Sequence, residues 1–359
     1  MNSKPLTALV EIIYGCNLRC KYCYIGNEHN HLKPIIQQFD SIKKIIDQLK
    51  KFGIKEIVLL GGEPTLHPDI ERIAQYVKSK GFDAQGIVTN GTKLNDQIIK
   101  ILKSNEFWID VSIRAGDDNT FYELTGIEDS YEKMLDGIKL LIRHEIPVGL
   151  EFDVTAINYL HLYSSIDKLR RMNLRIKQVQ VHRLVPSLDL NESPDLKPKL
   201  EHYLEIFPQL ENIRNQFGIP AFFEDGFPFC LVDQKYWDFI APCGCGFTIV
   251  TVDPYGNMRH CSCSNKILGN IFVDDINQIW EKVVHNYQPA SSHHSICKKC
   301  DFLEVCRGGC RSTGQFSNEK FDEFSMEFTP IRIEDTSKKP ESKIIFGQKI
   351  GKKNTFEEI

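Results

Sequence analysis

Three cysteines, Cys16, Cys20 and Cys23, fall within eight residues in the stretch "YGCNLRCKYCYIG". Thiolates at such spacing are soft metal ligands. Three of them on one loop do not close a structural zinc site, which takes four ligands. A cuboidal iron–sulfur cluster has four iron corners, each usually capped by cysteine, so three cysteines leave one iron open to an outside ligand. A zinc site completed from elsewhere, for example by His29 or His31, is the alternative. The other nine of the twelve cysteines all fall between Cys230 and Cys310. Inert core thiols would not segregate in this way, and the chain opens with nothing laid out like a signal peptide. Metal or redox chemistry therefore explains the cysteines better than structural disulfides.

These thiols need a scaffold. Apolar runs rich in β-branched and aromatic residues recur as "TALVEII", "EIVLL", "AQGIVT", "FWIDVSI", "VGLEFDV" and "IKQVQVH". Each is apolar nearly throughout, as parallel strands covered on both faces are. Between them, apolar residues recur at helical spacing: Ile42, Ile45, Ile46, Leu49 and Phe52; Ile70, Ile73, Ala74 and Val77; Tyr131, Met134, Leu135, Ile138, Leu141 and Ile142. Gly53 and Gly81 mark two helix ends and Pro68 one start. Six strand–helix units predict an α/β fold, either a partial (β/α)6 TIM-like barrel or an open doubly wound sheet, over residues 1–217. In both, chemistry sits at the carboxyl ends of the strands. The polar signatures lie there: the cysteine loop after the first strand, "GGEP" after the second and "TNG" after the third.

Residues 218–315 read as a small metal-stapled domain with a hairpin in "FTIVTVDPYGNMRHC" and a helix carrying Ile276, Ile279, Trp280 and Val283. Residues 316–359 form a charged tail, partly flexible, in which Phe321, Phe324 and Phe328 allow some docking.

Cys16-x3-Cys20-x2-Cys23, with Tyr22 before the last cysteine, resembles the signature of the radical S-adenosylmethionine (SAM) superfamily. The resemblance implies a [4Fe–4S] cluster whose open iron takes the amino and carboxylate groups of SAM. Reductive cleavage of SAM then yields a 5′-deoxyadenosyl radical that abstracts hydrogen. Gly61, Gly62, Glu63 and Pro64 are similar to the family motif beside the methionyl group, although a Gly-Gly pair after a strand is by itself an ordinary tight turn. Thr89, Asn90 and Gly91, together with Ser112, occupy strand ends where relatives contact SAM, and also fit as turn and cap residues. Arg183, ending the sixth strand, is a further candidate for the SAM carboxylate. Relatives often carry Asp two positions after the serine; Arg114 stands there instead, and a role for that position is left open.

"CKKCDFLEVCRGGC" spaces Cys297, Cys300, Cys306 and Cys310 as Cx2Cx5Cx3C, and Cys243-x12-Gly256-x4-Cys261 precedes it. Together these resemble the SPASM extension, which holds two auxiliary [4Fe–4S] clusters. The resemblance implies one cluster on Cys230, Cys243, Cys261 and Cys310 and a second on Cys297, Cys300 and Cys306. No cysteine follows Cys310, so the second lacks the downstream ligand of relatives. An incomplete shell is the preferred expectation; Cys245, Cys263, His293 or His294 could also fill the place. Zinc on these cysteines is the alternative.

A net charge of −4 gives no reason to expect nucleic acid or an anionic membrane as partner, and no apolar run is long enough to span a bilayer. A cytoplasmic location is the default. The resemblance implies a radical SAM enzyme acting on a peptide or protein, fed by an external flavodoxin- or ferredoxin-like donor. Ser262 replaces the acidic residue that sulfatase maturases tend to carry after this cysteine, which argues against that activity. No leader-recognition domain is expected before the first strand. A small-molecule substrate, as for a dehydrogenase or cofactor-biosynthesis enzyme, is the second reading, and a non-catalytic iron–sulfur carrier the third. No Asp, Glu or Tyr is singled out by spacing as a catalytic acid or base.

Overall fold

A computed structural model of the chain describes residues 4–26, 35–185, 193–288, 293–314 and 321–331. His29 and His31 lie outside the described residues. Strands β1 (Thr7–Ile13), β2 (Glu56–Gly61), β3 (Ala84–Thr89), β4 (Trp108–Ile113), β5 (Val148–Asp153), β6 (Ile176–His182) and β7 (Ala221–Phe223) follow one another across a parallel sheet. Helices α1 (Phe39–Phe52), α2 (Ile70–Ser79), α3 (Asp96–Ser104), α4 (Asp118–Thr125), α5 (Ser130–Arg143), α6 (Leu162–Arg171), α7 (Leu200–Leu204) and α8 (Ile206–Phe217) connect them. This is the partial barrel that the six apolar runs imply, extended by a short seventh strand from beyond residue 217.

The two faces of the sheet differ in chemistry. Ala8, Val10 and Ile12 of β1, Ile57 and Leu59 of β2, and Ile109, Val111 and Ile113 of β4 join one core with the apolar stripes of the helices. Leu150 and Phe152 of β5, and Val179 and Val181 of β6, continue it. Because strand side chains alternate, the residues between these face the other way. There stand Asp110, Ser112, Glu151, Asp153, Gln180 and His182, cross-linked by Ser112–Glu151 (3.2 Å) and Gln180–Asp110 (2.6 Å) hydrogen bonds. At the amino end this inner face is plugged: Trp108 Nε1 and Thr7 Oγ1 both donate to Glu56, at 3.1 and 3.0 Å.

The expected hairpin forms as β8 (Ile249–Val252) and β9 (Asn257–Arg259), followed by β10 (Gly269–Asn270), α9 (Ile276–Tyr287) and α10 (Leu303–Cys306). It does not stand apart. β8 pairs in parallel with β1 from Thr7↔Ile249 to Val10↔Val252, so one ten-stranded sheet runs through both halves of the chain. An open edge of β1 would leave backbone donors and acceptors unpaired, and β8 satisfies them. Buried Glu11 of β1 reinforces the junction with a charge-assisted contact to Arg259 and a 2.7 Å hydrogen bond from Tyr14.

Candidate active site

The cysteine loop leaves β1 and is tied down at both ends. The N–H groups of Arg19 and Lys21 donate to the last carbonyls of α4, Thr125 and Leu124, at 2.8 and 3.1 Å. Cys23 N–H reaches back to Cys20 O at 3.2 Å, which tightens the turn. Gly62 and Glu63 N–H donate to Ile13 O and Gly15 O at 2.7 and 2.8 Å, so "GGEP" extends the β1–β2 pairing into the loop. Gly61 is required for this approach: its φ is +137°, and a Cβ there would lie 2.1 Å from Ile13 O.

Glu63 is the hub of the three signatures. One carboxylate oxygen accepts from Thr65 N–H (3.1 Å), Thr65 Oγ1 (2.5 Å) and Thr89 Oγ1 (2.7 Å); the other accepts from Asn90 N–H (2.8 Å). Burial pushes its pKa up, and hydrogen bonds from Thr65, Asn90 and Thr89 oppose that shift. Pro64, buried, opens the single 3₁₀ turn that follows. The Asn90 amide lies 3.7 Å from Cys16 Sγ and donates to Asn17 at 3.2 Å, while Asn17 donates to Thr92 at 2.7 Å. The structure therefore brings Cys16, Glu63, Thr89 and Asn90 together. Asn17 and Thr92 belong to the same network, and no spacing rule singles them out.

Ser112 sits lower on the inner face, bonded to Glu151. Arg114 completes an inner group around Cys20. Its guanidinium pairs with Asp153 at 2.7 Å, hydrogen-bonds Cys20 and lies 5.8 Å from the centre of the Tyr22 ring. Burial raises the Cys20 pKa and Arg114 opposes the rise. The buried Tyr22 hydroxyl and Arg114 Nε find no hydrogen-bond partner among the described residues. Further along the same face, His182 Nδ1 is 3.2 Å from both Asp225 oxygens, while His182 Nε2 and Glu224 Oε2 are buried without a partner there.

Arg183 has a different setting. Its fully buried guanidinium donates to Asp322 (2.5 and 3.2 Å) and Glu323 (3.0 Å), framed by Tyr203, Phe227 and Phe324. Asp322 also accepts from Cys310 N–H at 2.8 Å, so Arg183 anchors the segment that follows the last cysteine.

The C-terminal cysteines fall into two groups. In the first, hydrogen bonds from Cys245 and Cys263 hold the Cys261 thiol well below its usual range. Cys245 also bonds to Cys243, and Cys310 feels the charges of Cys243 and Cys261. Cys230, Cys297, Cys300 and Cys306 instead line one pocket, with Phe229, Phe302 and Phe328 among its walls. Cys230 thus lies with the other set from the one implied by resemblance. His293 contacts Arg311 at 3.0 Å, and His294 stands edge-on to Phe321 and Phe328. Among the described residues no three Cys, His, Asp or Glu side chains are gathered as a single metal ion requires.

Residues 10–172 match the family model described as the radical SAM superfamily, and residues 243–301 match SPASM, an iron–sulfur cluster-binding domain. The subtilosin biosynthesis protein AlbA of Bacillus subtilis is 26% identical over 336 residues, covering 88% of this chain and 69% of AlbA. A probable GTP 3′,8-cyclase of Saccharolobus solfataricus is 27% identical, covering 74% of this chain and 80% of that one. The crystal structure of Streptococcus suis SuiB bound to S-adenosylmethionine superposes with a TM-score of 0.69 at 19% identity, covering 92% of this chain and 77% of SuiB. anSMEcpe with bound AdoMet and the Cp18Cys peptide gives 0.68 at 18%, covering 90% and 95%. With the cysteine triad, "GGEP" and the C-terminal thiols placed as described, residues 10–172 form a domain of the radical SAM superfamily and residues 243–301 a SPASM domain, and the chain is a radical SAM enzyme.

Proposed function

We propose that the chain modifies a peptide or protein substrate, with residues 1–217 as the catalytic unit, 218–315 as the auxiliary-cluster unit and 316–359 as a charged tail. A cluster on Cys16, Cys20 and Cys23 would bind SAM and, once reduced, supply a 5′-deoxyadenosyl radical that removes hydrogen from the substrate. Asn90 orients the loop at Cys16, and Glu63 holds Asn90 and Thr89 in place for the nucleotide. Tyr22, Gly61, Gly62, Pro64 and Ser112 are candidate contacts around it. Arg183 braces the wall from behind through Asp322.

The observation that carries the reading is a set of buried polar atoms, Tyr22 OH and Arg114 Nε near Cys20 and His182 Nε2 and Glu224 Oε2 at the carboxyl ends of β6 and β7, all unpartnered among the described residues. Buried polar groups cost free energy unless paired, so their natural complement is a ligand rich in donors and acceptors. A peptide backbone has that character. The likeness to AlbA, a bacteriocin biosynthesis protein, supports it, and so do the fold and the separate thiol groups that serve auxiliary clusters. Electrons would come from a flavodoxin- or ferredoxin-like donor, and the working location is the cytoplasm; among the described residues no helix is long and apolar enough to cross a membrane. The second reading, a small-molecule substrate, is favoured by the likeness to the probable GTP 3′,8-cyclase.

The test is anaerobic turnover of reconstituted enzyme with SAM and peptides encoded beside its gene, perdeuterated in turn at each residue type. Deuterium in 5′-deoxyadenosine together with a mass change in the peptide supports the peptide reading. Deuterium transfer from a small molecule alone overturns it, and absence of 5′-deoxyadenosine under all conditions returns the chain to the carrier class.

A further inference from the structure

The Cx2Cx5Cx3C motif reads as one unit along the chain, but its members part in space. Cys297, Cys300 and Cys306 face one pocket, whereas Cys310 turns toward Cys243 and Cys261. The cause is local. Gly308 and Gly309, between Cys306 and Cys310, both adopt left-handed φ values, +75° and +77°, which reverse the chain. A Cβ on Gly309 would lie 2.3 Å from Asp322 Oδ2 and 2.7 Å from Pro228 Cγ, so this turn is fixed against the segment that leads into Cys230.

That segment is rigid in its own right. Phe229 stacks on Trp237 with ring centres 5.7 Å apart and meets Phe302 edge-on at 5.8 Å. The Trp237 indole donates to Phe229 O at 3.1 Å. Cys230 follows on the one-turn helix Phe229–Leu231, and its sulfur enters the pocket that holds Cys297, Cys300 and Cys306. The four cysteines share the pocket with Ile296, Leu303 and Phe328, and Cys300 N–H donates to Cys297 O at 3.0 Å. Backbone N–H groups of Phe229, Gly308 and Gly309 point at the Cys306 sulfur, a donor set suited to a cluster thiolate.

We propose that Cys230 is the fourth ligand of the second auxiliary cluster, closing it from the upstream side with Cys297, Cys300 and Cys306. The first auxiliary cluster then draws its ligands from the five thiols Cys243, Cys245, Cys261, Cys263 and Cys310. With four thiolates the second cluster keeps no open iron, so it relays electrons and does not hold substrate. The assignment rests on the reading of these cysteines as cluster ligands and replaces the incomplete shell expected from the spacing.

Pairwise iron loss tests it. In a Cys16→Ala, Cys20→Ala, Cys23→Ala background, which keeps only the auxiliary clusters, about eight irons per chain are expected. Cys230→Ala and Cys306→Ala should each lose one cluster or degrade it to a three-iron form visible by EPR. The double variant should lose no further cluster, whereas Cys230→Ala with Cys261→Ala should affect both. The assignment falls if Cys230→Ala with Cys306→Ala strips both clusters while Cys230→Ala with Cys261→Ala strips one. Cys230→Ser, a milder change, should alter the EPR signal that Cys306→Ser alters and leave the Cys261→Ser signal intact; the reverse pattern also overturns it. A background protein that binds zinc or no metal would refute the cluster reading itself, an outcome distinct from either pairing.

Discussion

Arg183 and Asp322, 139 residues apart in sequence, form a two-pronged ion pair in which neither side chain is exposed. Removing one partner of a buried pair strands the other charge, at a cost of about 3–5 kcal/mol. Arg183→Met should therefore lower the unfolding midpoint strongly, and deletion from residue 315 onward should do the same by removing Asp322. Chemical denaturation of the anaerobic protein checks both. A small effect from either would show that the segment after Cys310 is not held by this pair.

Glu63 accepts four hydrogen bonds from Thr65, Thr89 and Asn90. Glu63→Gln keeps the volume but turns one acceptor into a donor, which sets an N–H against an N–H or a hydroxyl. The expected loss is about 1–3 kcal/mol of stability. SAM affinity, read by isothermal calorimetry on reconstituted protein, should weaken at least tenfold. Native affinity in this variant would mean that Asn90 keeps its place without the carboxylate.

Arg114 places a cation beside Cys20. A nearby positive charge favours electron uptake, because it stabilises the added negative charge. Arg114→Gln should shift the midpoint potential of the N-terminal cluster to more negative values in an EPR-monitored titration without SAM. An unchanged midpoint would mean that Asp153 neutralises the guanidinium at that distance.

Burial, then the neighbouring Glu151, raise the Asp110 pKa to about 7. An acid whose folded pKa lies above its unfolded value stabilises the fold while protonated. That contribution is complete below about pH 4 and is lost as pH rises through 7. Wild type should therefore lose more thermal stability than Asp110→Asn between pH 5 and pH 8. Parallel curves for the two proteins would remove Asp110 as the cause.

His182 Nε2 and Glu224 Oε2 are buried without a partner among the described residues. Substitution to His182→Gln or Glu224→Gln should impair product formation tenfold or more and leave SAM cleavage in the absence of substrate unchanged. Equal losses in both assays would place these residues in the nucleotide pocket instead.

The strands and the long helices are legible from local periodicity, since the residues that bury them lie three, four or two positions apart. The cysteine triad and "GGEP" are legible for the same reason: each is contiguous and follows a strand end. What periodicity does not carry is pairing across the fold. β8 joins β1 through backbone bonds some two hundred and forty residues apart in sequence. Arg183, a strand-end cation on paper, is claimed by Asp322 from the far end of the chain. Cys310 lies four residues after Cys306, yet two left-handed glycines send it to the other thiol group. Arg114 reads as a departure from a pattern until Asp153 and Cys20 appear on either side of it.

β1 ends in the cysteine loop and is zipped along its flank to β8, and the hairpin that β8 begins runs between Cys245 and Cys261. The gap an electron must tunnel between the first two redox centres is thus ruled by backbone ladder geometry. Substrate docking can therefore alter the driving force for transfer far more readily than the distance, and grafting a foreign SPASM segment onto this chain would succeed only with β8 carried across in register.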